Sequence, residues 1–411
     1  MRVGISVGID AIALAVPRRY LALEDLARAR GVDPAKYTQG LGAVEMAIAE
    51  PGEDTVALAA NAAQRVLELP GIDRGALGML VVGTETGVDH SKPVASYVHG
   101  LLELPRAMRV FDAQHACYGG TAGVMAAVEW IASGAAGDRS ALVVCADIAR
   151  YGLHTAGEPT QGAGAIAMIV SRDPALVELD VGCSGTASTH VHDFWRPLGM
   201  REAQVDGHYS VQCYLDALAI AYRGWKRRAL DRALVRPGSP ASEQLARICY
   251  HVPFCKMARK AHAHVRRCDL EDAQAPWDVA AEDARAAAMF RDQVEPSLAL
   301  CARIGNVYTG SLYLALAGLL DAQADALAHH RIGLFSYGSG CTSELFSGVV
   351  TPRAADRIRA ARLADVLAAR DRISIDDYEH IMARTTPLDA AGTSGVRFRG
   401  VVEQRRQYAR S

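Results

Sequence analysis

The strongest constraint on the fold is a pattern that occurs once in each half of the chain. In the first half, a Gly-containing turn at residues 117–121 opens an apolar helix, and a short buried strand follows at 141–146. In the second half, the turn 305–309 opens another apolar helix, and the strand 331–335 follows. A turn, helix and strand that recur in this order predict two similar halves, and therefore a duplicated fold.

The segments around these turns alternate between short apolar strands and longer apolar helices. Strands are predicted at residues 77–83, 141–146, 163–170 and 331–335, and helices at residues 55–69, 121–133, 209–228 and 311–325. Strands so rich in Val, Ile, Leu and Ala are typical of sheets that are buried on both faces. The alternation therefore predicts an α/β fold. A chain of 411 residues is long for one core, and we expect a boundary at residue 172, with halves at 1–172 and 173–411.

Three segments lie outside this repeat. Residues 1–17 are apolar, but Asp10 interrupts them and charged arginines follow, so we expect a first strand and not a signal peptide. The acidic, Ala-rich stretch 269–285 predicts a surface insertion. The polar tail after Arg370 is expected to add little to a core.

Composition excludes several classes of function. The formal net charge is −2, so no global basic field favours nucleic acid or an anionic membrane as a partner. No apolar run approaches the roughly 18 residues that span a bilayer. The nine cysteines form no CxxC pair, which argues against a disulfide framework and a zinc site. We therefore expect a soluble protein with reduced thiols in the cytoplasm and no bound metal.

Cys117 is the strongest candidate for a nucleophile. It precedes Gly119 and Gly120 at the predicted start of a helix, where unpaired N–H groups and partial positive charge stabilise a thiolate. The glycines also allow a substrate carbonyl to approach the backbone closely. A buried structural cysteine at a helix start fits the same pattern equally well, since free cysteines are often small core residues.

His251 and Glu85 are candidates for proton transfer and substrate binding. Pro253 disfavours helix just before it, so His251 is expected at a strand end or turn. Lys256 and Lys260 follow at i and i+4 on one helical face, which suits an anionic ligand. Glu85 directly follows a strand, where sites form in α/β sheets and where partial burial raises a carboxyl pKa. Taken singly, a core histidine with solvated lysines and a surface glutamate are the commoner interpretations.

Two Gly-containing turns offer backbone N–H groups for an oxyanion. They are the turn at Gly305 and Asn306 and the turn 337–340, and ordinary structural turns are an equally good interpretation of each. Neither matches a dinucleotide fingerprint or a P-loop, so no nucleotide cofactor is expected.

Taken together, these segments resemble the thiolase superfamily, and within it the hydroxymethylglutaryl-CoA (HMG-CoA) synthase family. The matching stretches, in family order, are residues 83–85, 116–122 (ACYGGTA), 162–165, 193–197 (DFWRP), 209–215, 251–257 (HVPFCKM), 305–309 (GNVYT) and 336–340 (SYGSG). A set of Cys117, His251 and Asn306 would also fit an initiating ketoacyl synthase, and Glu85 after a strand is what resembles HMG-CoA synthase. Cys341 is not in a thiolase-like motif.

The resemblance implies a thiolase-like, duplicated five-layer αβαβα fold and acyltransferase activity. Cys117 would take an acetyl group from acetyl-CoA, and Glu85 would remove a proton from its methyl group. The enolate would attack the ketone of acetoacetyl-CoA, which His251 binds, polarises and finally protonates, and water would release HMG-CoA for the mevalonate pathway. The substrates would be CoA thioesters, with no resident cofactor. The resemblance also implies supporting roles for Tyr118, Asp147, Tyr151, Asp193 and Ser339, and substrate contacts from Thr160, Ser210, Lys256, Lys260 and Asn306.

Two alternatives remain open at this point. A polyketide β-branching relative would share the chemistry but take acyl groups from an acyl carrier protein. The cysteine at 341 resembles those enzymes, whereas Lys256 and Lys260 favour CoA, whose phosphates need cations. A non-catalytic scaffold would be expected to lack the nucleophile. A homodimer is expected by analogy with the fold.

Overall fold

The computed structural model describes residues 5–200, 202–274, 278–384 and 395–410. Its strands, numbered along the chain, are β1 (Val7–Ala15), β2 (Arg19–Ala22), β3 (Glu45–Ile48), β4 (Leu77–Gly83), β5 (Arg109–Ala113), β6 (Ser140–Ala149), β7 (Gly162–Arg172), β8 (Val177–Ser188), β9 (Phe194–Trp195), β10 (Gln204–Val205), β11 (Arg247–Tyr250), β12 (Arg331–Gly338), β13 (Thr342–Val350), β14 (Asp371–Arg372), β15 (Val396–Val402) and β16 (Arg405–Arg410).

The helices are numbered in the same way. They are α1 (Leu23–Ala29), α2 (Ala35–Thr38), α3 (Thr55–Leu67), α4 (Val94–Leu101), α5 (Gly119–Ala132), α6 (Gly207–Asp231), α7 (Cys255–Asp272), α8 (Val279–Gln293), α9 (Ala299–Ile304), α10 (Ser311–Leu327), α11 (Ala354–Ala360), α12 (Leu363–Ala368) and α13 (Ile375–Ala383). Short 3-10 turns at Glu158–Thr160 and Tyr308–Gly310 lie near the candidate site. Within the described ranges, no helix is both long enough and apolar enough to cross a bilayer.

Nine strands form one mixed sheet in the order β11-β12-β13-β8-β1-β7-β6-β4-β5. β4 is parallel to β5 and β6, and β11 is parallel to β12. The two parts of the sheet meet where β1 pairs with β8 through Gly8–Glu178 and Ile9–Val177. The proposed boundary at residue 172 falls at the end of β7, shortly before β8 begins.

Helices pack on both parts of the sheet and meet in the middle. α3 and α5 pack on the part that contains β6 and β7, whereas α6 packs on β8 and β13, and α10 packs on β11 and β12. α5 and α10 contact each other, since the hydroxyl oxygens of Thr121 and Tyr313 are 2.9 Å apart. Both helices are apolar and largely buried, as expected for a central layer. This arrangement is the five-layer αβαβα fold, and the prediction of a thiolase-like α/β fold is confirmed.

The predicted strands and helices are all present, with ends that differ by a few residues. The first strand is β1, which confirms the interpretation of the apolar N-terminal segment. The prediction for the tail after Arg370 is wrong. Ile373, Tyr378 and Ile381 are buried in a second hydrophobic core with residues of β2, α1 and β3. We call β2, α1, α2, β3, β14 and α13 the small lobe. Residues 385–394 of the tail and residue 411 lie outside the described residues.

The prediction of a surface insertion at 269–285 is wrong at its beginning. Asp269 lies in the last turns of α7 and is buried, with its carboxylate accepting hydrogen bonds from Tyr222 and Ser242 at 2.7 Å each. Lys226 pairs with the same carboxylate at 3.0 Å. An acidic residue is buried here because these partners replace its lost hydration. Residues 275–277 of this stretch lie outside the described residues.

Candidate active site

Cys117 and Glu85 meet where the end of β4 reaches the start of α5. A Cβ on Gly83, the last residue of β4, would lie 2.5 Å from the Cα of Gly120, so only glycine permits this approach. The Sγ of Cys117 then lies 3.2 Å from Oε1 of Glu85 and donates a hydrogen bond to it. The structure therefore places the two strongest sequence candidates in direct contact.

This contact determines the protonation of both side chains. Burial and the nearby Asp147 carboxylate raise the pKa of Glu85 to about 8. Burial and the Glu85 carboxylate raise the pKa of the Cys117 thiol well above its usual value. The expectation that the helix start would keep Cys117 as a thiolate is therefore wrong for this state, because burial of the thiol and the carboxylate at 3.2 Å together outweigh the helix dipole two residues before α5. Glu85 is the base in position to accept the thiol proton.

Asp147 holds the segment that carries Glu85. Its fully buried carboxylate accepts hydrogen bonds from the backbone N–H of Glu85 at 2.9 Å and of Thr86 at 3.0 Å. The hydroxyl of Thr84 donates to it at 2.9 Å, and the backbone N–H of Thr309 donates at 3.1 Å. Asp147 therefore joins the loop after β4 to the turn that follows Asn306, and so connects the two halves of the chain at the site.

Asn306 is positioned by a backbone conformation that favours glycine. Gly305 ends α9 with a φ of 87°, and a Cβ there would lie 2.0 Å from the carbonyl oxygen of Gln161. The side-chain oxygen of Asn306 accepts hydrogen bonds from the N–H of Tyr308 at 2.9 Å and from the hydroxyl of Ser311 at 3.0 Å. Asn306 is buried and fixed, and its backbone lies against Gly162 at the start of β7.

Asp193 organises the second Gly-rich turn. Its buried carboxylate accepts hydrogen bonds from Tyr337 at 2.7 Å, from the N–H of Gly340 at 3.0 Å and from Ser210 at 3.3 Å. These contacts fix the turn that presents Ser339. Gly338 in the same turn lies against the backbone of the segment 115–118, so the turn is adjacent to Cys117. Separately, Tyr118 donates a hydrogen bond to Glu344 of β13 at 2.7 Å.

His251 follows the last residue of β11, as the sequence predicted. Its backbone N–H donates to the carbonyl of Phe335 at 2.7 Å, and Tyr214 donates to its carbonyl at 2.8 Å. The side chain is buried, and burial lowers the pKa of its imidazole to about 3. β11 lies beside β12, whose end contacts the Cys117 segment. His251 is therefore a neutral imidazole that follows β11, next to the strand whose end contacts the Cys117 segment.

A narrow cavity brings together two of the predicted substrate contacts and the segment that follows His251. Thr160, Asn306 and the residues that follow His251, from Val252 to Cys255, line it. α7 begins at this wall, and Lys256 and Lys260 are exposed on its first turns. Thr160 itself donates a hydrogen bond to the carbonyl of Gly157 at 2.8 Å, so its hydroxyl already has a structural partner.

Tyr151 lies close to Thr160 and Tyr308. It is buried, and burial raises the pKa of its hydroxyl, with the Cys117 and Glu85 charges adding to the shift. The aromatic ring of Tyr308 is close to the same groups. The structure therefore places Tyr151 among the residues around the Cys117 sulfur.

Sequence reasoning missed Arg196 as a site residue. Its guanidinium donates a hydrogen bond to the backbone carbonyl of Glu85, and its charge lowers the pKa of the Glu85 carboxyl against the larger effect of burial. Arg196 also lines a cavity of about 630 Å³ beside Glu85. The stretch 193–197 carried part of the resemblance, which was the available signal. Thr309, which donates to Asp147, was missed in the same way.

A duplicated αβαβα fold with a cysteine before the central helix and a glutamate against its sulfur defines a thiolase-fold acyltransferase. Comparison with known families gives a narrower class. Residues 4–175 match the family model described as hydroxymethylglutaryl-coenzyme A synthase N terminal, and residues 177–283 and 278–389 match its C-terminal counterpart. The chain therefore belongs to the hydroxymethylglutaryl-CoA synthase family.

Relatives in this family fall into two groups. A hydroxymethylglutaryl-CoA synthase of Enterococcus faecalis is 37% identical over 93% of this chain and 93% of its own length. The polyketide biosynthesis 3-hydroxy-3-methylglutaryl-ACP synthase PksG of Bacillus subtilis is 32% identical over 96% of this chain and 91% of its own length.

Solved structures show the same division. MvaS in complex with 3-hydroxy-3-methylglutaryl coenzyme A is 60% identical, with a TM-score of 0.96 over 99% of both chains. The curacin biosynthetic pathway HMG synthase in complex with acetyl donor-ACP is 32% identical, with a TM-score of 0.89 over 99% of this chain and 100% of its own.

Proposed function

We propose that this enzyme condenses acetyl-CoA with acetoacetyl-CoA to form HMG-CoA through an acetyl thioester on Cys117, as a step of the mevalonate pathway. The observation that carries the proposal is the 3.2 Å contact between the Cys117 sulfur and the Glu85 carboxylate. One carboxylate in this position can serve both the thiol and, after acyl transfer, the methyl group attached to it. The family and the 60% identity to MvaS support the same product.

The first half-reaction is acyl transfer. The Cys117 sulfur attacks the carbonyl carbon of acetyl-CoA while its proton passes to Glu85. The proton then leaves with the CoA sulfur as the C–S bond to CoA breaks. A Glu85 pKa of about 8 suits this exchange, because a base works best when its pKa is close to the working pH. The covalent thioester divides one difficult condensation into two easier steps.

The second half-reaction forms the carbon–carbon bond. Glu85 removes a proton from the acetyl methyl, and the enolate carbon attacks the ketone carbon of acetoacetyl-CoA. His251 is neutral, so it polarises the ketone oxygen by donating its ring N–H. As this proton passes to the developing alkoxide, the other ring nitrogen takes up a proton from solvent, so the imidazole stays neutral. Glu85 later releases to solvent the proton that it took from the methyl group. Water then hydrolyses the thioester, and these roles require no resident cofactor.

The remaining predicted residues act around these three. Asp147 and Asp193 hold the loops that carry Glu85 and Ser339, and Tyr118 and Tyr151 line the segment around the sulfur. Thr160, Ser210 and Asn306 are proposed to contact the acyl and pantetheine portions. Lys256 and Lys260 are proposed to bind CoA phosphates at the mouth of the narrow cavity.

A carrier-protein substrate is the second candidate. PksG and the curacin synthase, which are named for acyl-carrier-protein chemistry or solved with a donor carrier protein, are about one-third identical to this chain. The site chemistry serves either donor, since the pantetheine arm is common to both. The two lysines on α7 and the higher identity to MvaS favour CoA.

Two measurements test the proposal. Intact-protein mass spectrometry after incubation with acetyl-CoA should show one acetyl adduct, which Cys117→Ala lacks. Glu85→Gln should form the adduct more slowly than the wild type, because Cys117 then lacks its base, and should form no HMG-CoA from it. An adduct that persists in Cys117→Ala would contradict the assignment. The value of kcat/KM for acetoacetyl-CoA should exceed that for an acetoacetyl carrier protein, and the reverse order would favour the second candidate.

We also propose a homodimer in the cytoplasm. The nine cysteines are all free thiols in the structure, which supports a reducing compartment. Light scattering at assay concentration should give twice the mass of the 43.8 kDa chain.

A further inference from the structure

A buried ion pair lies behind the wall that carries Thr160. Glu158 is almost fully buried, and the Arg30 guanidinium at the end of α1 binds its carboxylate with two hydrogen bonds, at 2.8 and 3.0 Å. The N–H of His154 donates to the same carboxylate at 2.9 Å, and the hydroxyl of Tyr378 in α13 donates at 3.1 Å. Three segments that are distant in sequence therefore converge on one carboxylate.

Gln161 extends this network to the site. Its side-chain oxygen accepts the backbone N–H of Tyr151 at 3.0 Å. Its side-chain nitrogen donates to the Tyr378 hydroxyl at 2.7 Å and to the carbonyl of Glu158 at 3.2 Å. Every described bond of this buried amide thus ties the segment 151–161 to itself or to α13. We call Arg30, Glu158, Gln161 and Tyr378 the Glu158 network.

Apolar contacts from the small lobe support the same segment. Leu153 packs against the second hydrophobic core, which contains Tyr378, Tyr37 and Ile381. The small lobe also reaches the opposite wall of the narrow cavity, since the carbonyl of Leu41 accepts the N–H of Lys256 at 3.0 Å. Both walls of the cavity are therefore attached to one lobe that contains none of the proposed catalytic side chains.

The energetics of the network favour a positioning role. Replacing a buried ion pair by apolar residues of similar volume is often neutral or stabilising, because the charges must first lose their hydration. The geometry of the pair, in contrast, is specific, since a bidentate arginine fixes both the distance and the plane of the carboxylate. A side chain that reacts with substrate also needs partners behind it that hold its position.

We infer that Tyr378 and Gln161 are positioning residues, through which the small lobe holds the Tyr151–Thr160 wall against the acyl substrate. This inference rests on the proposed function. Loss of the Tyr378 hydroxyl removes the direct hydrogen bonds from α13 to Glu158 and Gln161. It leaves the aromatic ring in the core and the indirect link through Arg30, which also pairs with Glu379 of α13 at 2.7 Å. The wall then moves relative to His251 and Asn306, so binding of the second substrate weakens while the Cys117–Glu85 contact, held by Asp147, remains.

The test compares Tyr378→Phe with Tyr37→Phe. Tyr37 lies in the same core, and its hydroxyl makes no hydrogen bond with the 151–161 segment in the described part of the chain, which makes it a matched control. Tyr378→Phe should raise the KM for acetoacetyl-CoA about five- to tenfold, from the loss of hydrogen bonds at one site. The yield of acetyl adduct per folded protein should stay close to that of the wild type, while the melting temperature should fall by a few degrees because buried Glu158 and Gln161 each lose a partner. Tyr37→Phe should change neither KM nor adduct yield.

The outcomes separate this inference from the proposed function. An unchanged KM in Tyr378→Phe, or an equal rise in Tyr37→Phe, would overturn the positioning role while wild-type turnover still supported the function. A fall in kcat in proportion to a smaller folded fraction, with KM unchanged, would show that the network acts on stability alone and would also overturn the inference. A wild-type enzyme that forms no HMG-CoA would contradict the proposed function itself.

Discussion

The hydrogen bond between Cys117 and Glu85 acts on the two side chains in opposite directions. Burial and the Glu85 carboxylate raise the pKa of the Cys117 thiol, whereas the hydrogen bond from that thiol lowers the pKa of Glu85 against the larger effect of burial, so the proton between them lies on the sulfur. Acylation of Cys117 removes that proton and leaves Glu85 beside a neutral thioester. Glu85 then has a single remaining task as a base.

Arg196 is expected to set the pH dependence of that base. Glu85 acts only when ionised, so turnover should rise with pH through the Glu85 pKa of about 8. The Arg196 charge lowers the pKa of Glu85. Arg196→Gln removes that charge, so the Glu85 pKa should rise and the rising limb of the pH profile should move to higher pH. Turnover at pH 7 should then fall several-fold. A pH profile of kcat measures this.

Arg196→Lys is the matched control, because it keeps the positive charge while changing the hydrogen bond to the Glu85 carbonyl. Its rising limb should stay closer to the wild-type position than that of Arg196→Gln. If all three profiles coincide, another group sets the limb.

Residue-scale prediction from sequence succeeded where a local pattern placed the side chain. Glu85 directly follows a strand and Cys117 directly precedes a helix, so the ends of these two elements bring them together. Arg196 could not be assigned from the sequence. Its contact with Glu85 depends on the path that the loop after β9 takes past the loop that carries Glu85. The protonation state of Cys117 could not be predicted from the sequence either, since it depends on burial and on the distance to the Glu85 carboxylate.

At the scale of elements, α7 separates catalysis from binding. Its first residue, Cys255, follows His251 by four positions and lines the narrow cavity. Its exposed side carries Lys256 and Lys260, one turn apart. The same helix therefore fixes the spacing between a neutral imidazole inside and two ammonium groups outside. A thioester with a phosphate-bearing arm fits that spacing.

The two lysines should affect KM and the histidine should affect kcat. Lys256→Ala and Lys260→Ala should each raise KM for acetoacetyl-CoA by about ten- to hundredfold, because charge-assisted phosphate contacts are lost equally from ground and transition states. His251→Ala should lower condensation turnover while the acetyl adduct on Cys117 survives. Lys92→Ala, which changes an exposed lysine on the other half of the chain, is the control. Wild-type KM in both α7 variants would weaken the CoA assignment and favour a carrier protein.

Prediction of helices and strands was accurate for long apolar segments and failed for short segments with few buried residues. α5, α10 and the central strands have continuous apolar sequences, which is why their positions could be predicted from burial patterns alone. α13 is short and mixes polar and apolar residues, with Tyr378 and Ile381 as its buried residues. The Ser374–Asp377 capping box marks the start of this helix in the sequence, but its core exists only after α1 and β3 are in place, so its burial has no local signal.

The whole molecule is two similar halves joined at several places. The sheet is continuous through the short pairing of β1 with β8, Asp147 connects the halves at the site, and the small lobe takes elements from both. A further connection is the central layer, where α5 meets α10. Because α5 follows Cys117 and α10 follows Asn306, the packing of these helices sets the relation between the two sides of the site.

The hydrogen bond between Thr121 and Tyr313 should couple the halves measurably. Both side chains are buried, and their hydroxyl oxygens lie 2.9 Å apart. Tyr313→Phe leaves the Thr121 hydroxyl without this partner, so the free energy of unfolding should fall by about 1–3 kcal/mol. Thr121→Val removes the other hydroxyl at nearly constant volume and should cost a similar amount.

The double variant Tyr313→Phe/Thr121→Val should lose clearly less than the sum of the two single losses, since no buried hydroxyl then lacks its partner. Urea denaturation followed by circular dichroism measures all four proteins. Strictly additive losses would show that the two helices do not depend on this bond. In that case the halves would be joined mainly by apolar packing, and the acetyl adduct of Tyr313→Phe should form as in the wild type.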